Sequence, residues 1–170
     1  MPLRLLSAAV AQGSEHENST DEGSIAKYTF AADELQVGKT YLITGSAIVN
    51  DSNGSDTLTL ALRFGSSTTV TSNTAVVASA AIDSADNDVA AFTCFMTVRS
   101  IGSSGSVVLH GFFAQADAEA VGTTPAFAFH QVVSSLNTEA ALYLDYTADW
   151  SAAHADNEVA ADSFVVCEIV

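Results

Sequence analysis

Positive charge is what this chain has least of. Of 170 residues only five are Lys or Arg (Arg4, Lys27, Lys39, Arg63 and Arg99), against 20 Asp and Glu, for a formal charge of −15. The five cations form no cluster in sequence. Such a chain is repelled by phosphate backbones at long range, which argues against nucleic acid as a partner. Charged residues of both signs make up only 15% of the chain, low for a soluble enzyme. Two cysteines, Cys94 and Cys167, make no disulfide framework, and both fall in apolar runs where a buried small hydrophobe is expected; a disulfide or a reactive thiol is the alternative. No apolar run approaches the roughly 20 residues that a membrane-spanning helix needs. The opening MPLRLLSAAVAQG has one arginine and some small residues, but Ser7 interrupts its short apolar part, so a secretory signal is not expected.

Hydrophobic residues, at 48%, are plentiful enough for one large core. They are arranged with a period of two. In 136–150, LNTEAALYLDYTADW, the apolar row is Leu142, Leu144, Tyr146, Ala148 and Trp150, and between its members stand Tyr143, Asp145, Thr147 and Asp149. One face of such a ribbon meets a core and the other meets water or a partner. The same alternation places Leu58, Leu60, Leu62 and Phe64 inward in 57–64, and Phe92, Cys94, Met96 and Val98 inward in 89–99. In 107–114, Val107, Leu109, Gly111 and Phe113 stand opposite Val108, His110 and Phe112, so both faces are apolar, as in a central strand. Further strands are expected over 3–10, 25–31, 39–49, 68–79, 126–133 and 163–170, with a helical turn conceivable in 152–161. Turns rich in Gly, Ser, Asn and Asp separate them. Nine or ten strands without an amphipathic helix predict an all-β, antiparallel two-sheet sandwich of jelly-roll type. Residues 12–24 are polar and acidic, which divides the chain into an arm and linker over 1–23 and a sandwich domain over 24–170. The apolar start of the arm, Leu3, Arg4, Leu5 and Leu6, is the candidate interface with a neighbouring subunit; an ordinary edge strand of the same domain is the other reading.

Residues that could carry chemistry are dispersed. His16, His110, His130 and His154 show no metal-ligand spacing, although His110 and His130 could meet across a sheet. No nucleophile elbow and no phosphate cradle occur. Asp145 and Glu168 are the carboxylates inside clear strands, and both are expected on a solvated outer face. The acidic loops 51–56, 83–88 and 154–158 offer hard oxygen ligands but not the order of an EF-hand, so solvated turns are expected, with calcium the alternative. Neither catalytic residues, nor a metal site, nor a cofactor is expected. Tyr41, Tyr143, Phe95 and Phe112 are the aromatics that a carbohydrate-binding surface would need.

The C-terminal part, with Asn137-Thr138 before an alternating strand, Leu142, Leu144, a Trp150-Ser151 pair, Asn157 in a small-residue loop and Phe164 in a last strand, resembles the ending of jelly-roll structural proteins of tailed bacteriophages, marine and cyanobacterial ones in particular. The segment TLTLALRFGSS, 57–67, resembles a hairpin of the same proteins. The resemblance implies a virion component without enzymatic activity. It would be a capsid decoration (cement) protein on the capsid surface, commonly a homotrimer, with the major capsid protein and copies of itself as partners. A head or tail fibre module that binds carbohydrate or recognises a host is the alternative.

Overall fold

A computed structural model describes residues 2–9, 12–51, 55–83, 87–116 and 126–170. Its strands, in chain order, are β1 (Leu3–Ala9), β2 (His16–Glu17), β3 (Gly23–Phe30), β4 (Thr40–Asp51), β5 (Thr57–Gly65), β6 (Thr74–Ala78), β7 (Ile82–Asp83), β8 (Val89–Ser100), β9 (Gly105–Ala116), β10 (Phe127–Leu136), β11 (Leu142–Trp150) and β12 (Glu158–Ile169). They form two antiparallel sheets packed as a sandwich. The larger has the order β1-β12-β4-β8-β9-β10, with β2 also on β12; the smaller is β3-β11-β5-β6, with β7 on β5. Four of the pairs are nested in sequence: β1 with β12, β3 with β11, β4 with β8, and β5 with β6. The hairpin β9–β10 stands outside this nest and widens the larger sheet beyond β8.

The period-two rows explain why the sheets meet. Leu142, Leu144, Tyr146, Ala148 and Trp150 of β11 are buried, and so are Leu58, Leu60, Leu62 and Phe64 of β5 beside them. From the opposite sheet come Ile43, Phe92, Cys94, Met96, Leu109, Phe113 and Phe164. Phe92 is the hinge of this core: its ring stands edge-on to Tyr146 across the sandwich at 5.0 Å and lies parallel to Phe113 at 6.5 Å. Gly45 makes the arrangement possible. A Cβ there would stand 2.5 Å from the Phe92 ring and 3.3 Å from that of Phe164.

Of the two readings of the arm, the pairing matches the edge strand: among the described residues β1 pairs with β12 of its own chain from Leu3↔Ile169 to Ala9↔Phe164, and β2 pairs with the start of β12. Several expectations need correction. A strand over 68–79 is replaced by a 3₁₀ turn, Val70–Ser72, and the short β6. The cause is Asn73, whose amide binds both the N–H and the carbonyl of Ser67 and closes the loop on Gly65, where a Cβ would collide with it. No helical turn forms in 152–161, because the Asn157 amide donates to Asp56 and to the Ala152 carbonyl and β12 begins at the next residue. Residues 52–54 and 84–86 of the two acidic loops lie outside the described residues.

Among the buried polar atoms without a hydrogen-bond partner in the described residues are the Tyr146 hydroxyl and Trp150 Nε1. Burial pushes the Tyr146 phenol far above its ordinary range. An unpaired buried hydroxyl costs about 1–3 kcal/mol. Tyr146→Phe therefore keeps the ring contact with Phe92 and removes the cost, and chemical denaturation should show equal stability or a gain of up to about 1 kcal/mol. A loss of more than about 1 kcal/mol would contradict this packing.

Candidate interaction surface

The smaller sheet carries a cluster of paired charges on its outer face. On the outer face of the smaller sheet, Asp145 of β11 lies in register with Lys27 of β3 and Arg63 of β5. It is only 1% exposed, accepts a hydrogen bond from the Ser24 hydroxyl at 2.9 Å and faces the Lys27 ammonium at 3.4 Å. Lys27 also rests over the Tyr143 ring. Glu22, just before β3, folds over the next rung. Its two carboxylate oxygens take the Arg63 guanidinium at 2.6 and 2.7 Å, and Oε1 accepts the Thr147 hydroxyl. Burial works to raise the Glu22 pKa, but the bonds from Arg63 and Thr147 outweigh it and hold the carboxyl below the ordinary value of 4.5. Asp149, the next outward residue of β11, is raised by burial and by the Glu22 charge. His16 lies against Gly23, where a Cβ would meet its ring at 2.5 Å. Burial lowers its pKa, although Asp149, Asp21 and Glu22 pull the other way.

Glu168 is likewise not on a solvated face. It continues the inward row of Phe164 and Val166 to the open end of the sandwich, where it is 4% exposed and paired with both Arg4 and Lys39. The hydrogen bond from Lys39 is the main reason its carboxyl is held below the ordinary range. Tyr41, a candidate sugar-stacking ring, is buried there as well; burial and the Glu168 charge push its phenol up to about 12.

The outer face of the larger sheet is of another kind. Register defines three neighbouring rows across its six strands. The middle row is Leu5, Cys167, Leu42, Phe95, His110 and His130. One flanking row is Leu3, Ile169, Thr40, Thr97, Val108 and Val132, and the other is Ala8, Val165, Thr44, Thr93, Phe112 and Ala128. No Asp, Glu, Lys or Arg stands in any of the three. The next rungs of β4 and β8 extend the pattern, Ser46 with Ala91 and Ile48 with Val89, but on β12 the exposed Asp162 accepts a hydrogen bond from the Ser46 hydroxyl, and on the other side charge returns beyond Thr97, at Arg99. Large apolar side chains stand open on this face: Leu3, Leu5, Val132 and above all Phe112, 66% exposed. Phe95 stacks on His110, with centroids 5.7 Å apart and planes 23° from parallel. Both rings line a pocket of about 430 Å³ with Lys39, Thr40 and Ile169. Between these open side chains the face is made of half-buried Leu42, Phe95, Val165 and Cys167 and of threonines.

The four arm residues divide between two roles. Leu3 and Leu5 stand on this outer face; Arg4 turns to Glu168 and Leu6 packs against the core. His110 and His130 do face each other across β9 and β10, both exposed. Both cysteines are free and point to opposite sides of the larger sheet, since Cys167 is in register with Leu42 and Cys94 with its neighbour Ile43. Burial pushes the Cys94 thiol up to about 12, while Cys167 is half-buried on the outer face. One grouping has no signal in sequence: β2 brings Glu15 and Glu17 to Glu158, with oxygens of all three within 4.8 Å of one another, a hard-oxygen set of the sort that divalent cations take. In 154–158, His154 and Asp156 pair at the surface while Asn157 is structural.

None of the family models, characterised proteins or solved structures compared with the chain matches it.

The cluster at His16 gives stability a definite dependence on pH. A group whose pKa is depressed by folding takes up its proton first in the unfolded chain, so stability falls as pH drops below its unfolded value. The decline should begin below the ordinary imidazole value of 6.5 for His16 and steepen below 4.5, where Glu22 of the unfolded chain takes up a proton ahead of the folded one. Asp149, shifted the other way, opposes the second phase. Denaturation at a series of pH values should show His16→Gln losing the first phase and keeping the second; an unchanged first phase would contradict the assignment.

Proposed function

We propose that the protein is a non-catalytic structural component that assembles by protein–protein contact, and specifically a capsid decoration protein of a tailed bacteriophage. The observation that carries this reading is the uncharged outer face of the larger sheet on a chain of net charge −15. A solvated face on so acidic a protein has every reason to carry charge; one kept free of it across six strands is built to be covered. The nested pairs β1–β12, β3–β11, β4–β8 and β5–β6, split between two sheets, support reading the sandwich as a jelly roll, as the resemblance of the C-terminal part implies. The added hairpin β9–β10 widens the contact face without adding to the nest.

Carbohydrate binding is the second reading, and the pocket beside Phe95 and His110 is the observation that favours it. The burial of Tyr41 removes one of its four aromatics.

Particles purified from a lysate that contains the chain distinguish the two readings. Under the decoration reading, the chain bands with particles on a density gradient at a fixed ratio to the main shell protein, and a low-resolution map shows it at regular positions on the shell. Recovery only in the soluble fraction would overturn that reading. Binding to a glycan array that is lost in Phe95→Ala would favour the second.

A further inference from the structure

We propose that the uncharged outer face of the larger sheet is covered by the same face of a second copy, stacked about a twofold axis, so that the unit that assembles is a face-to-face dimer. This rests on the structural reading above and names the partner for that face.

Charge chooses the partner. Two chains that each carry −15 repel one another unless they meet where neither presents a carboxylate. Elsewhere the outer surface carries formal charge: the pairs Lys27–Asp145 and Arg63–Glu22 and the carboxylate of Asp149 stand on the other sheet, and Glu15, Glu17 and Glu158 sit where β2 joins β12. The three rows on β1, β12, β4, β8, β9 and β10 form the one broad surface among the described residues on which an identical surface can be laid without opposing like charges. Leu, Val, Phe and Thr side chains are complementary to themselves, as a twofold interface demands.

Area agrees. Three rows across six strands are 18 residues, and each takes about 4.8 Å by about 6.8 Å of one sheet face. That is on the order of 600 Å² per copy and about 1,200 Å² for the pair, at the lower edge of the range of roughly 1,200–2,000 Å² for specific interfaces. Without β9 and β10 the face would lose a third of its strands, and with them Phe112, its most exposed apolar side chain. Sheets packed face to face in this way are a standard arrangement of β-structure.

The test is the solution mass of the purified full chain. Sedimentation equilibrium should give twice the 17.6 kDa chain mass, with the dimer tightened by added salt, since salt screens the remaining repulsion. Phe112→Glu should weaken the dimer at least about tenfold, whereas Thr29→Glu on the other sheet should leave it unchanged; thermal melts confirm that both variants fold. As a check that needs no variant, alkylation of Cys167 in the native protein should slow as concentration rises. A monomer at all concentrations would overturn the proposal, as would a dimer or trimer indifferent to Phe112→Glu. If the chain is monomeric in solution and Cys167 becomes protected only on particles, the face belongs to the shell protein: the dimer is then wrong and the decoration reading stands. Dimers that never associate with particles would do the reverse.

Discussion

The contact between Phe92 and Tyr146 is what lets the two sheets close on each other. It joins the middle of β8 to the middle of β11 across the sandwich, and Phe113 and Phe164 fill the space around it. Aromatic pairs of this kind contribute about 0.5–1.5 kcal/mol beyond the area they bury. Their position matters more than that sum. The rings need the volume that a side chain at position 45 would occupy, so the glycine there belongs to the core as much as the phenylalanines do. Once the inward rows are fixed by this contact, register leaves no choice about which residues point out.

What points out differs between the two sheets, and the proposed function rests on that difference. The smaller sheet carries an ion-paired surface, Lys27 and Arg63 flanking Asp145 and Glu22 closing over Arg63, in which charges balance within the molecule. The larger sheet carries Thr, Val, Leu, Phe and His and no formal charge in three successive rows. Leu3 and Leu5 join that surface because β1 pairs with β12, and Arg4, between them, turns to the buried Glu168 and anchors the strand that presents them. The first strand is thus both part of the sandwich and part of the surface that the sandwich offers.

The inward rows of β5, β8, β9 and β11 were legible in the sequence because each faces a core on one side only, which forces strict alternation. The apolar character of both sides of β9 was legible as well, through Val108, His110 and Phe112. Three things were not. Asp145 and Glu168 read as solvated because their partners, Ser24 and Lys27 for one, Arg4 and Lys39 for the other, lie far away in the chain, and periodicity carries no information about such pairs. β2 and the carboxylates it brings to Glu158 were hidden in a polar stretch with the composition of a linker. The uncharged face itself becomes visible only when register aligns six strands, since no single strand holds more than a few of its residues.

Hydroxyl-radical footprinting of the assembled protein, compared with the dilute chain, tests the partition of the two faces most directly. The account predicts that Leu5, Phe95 and Phe112 lose reactivity on assembly while Tyr143, beneath Lys27 on the other sheet, keeps its own. Protection of Tyr143 with Phe95 and Phe112 still reactive would show that assembly uses the charged side, contradicting the claim.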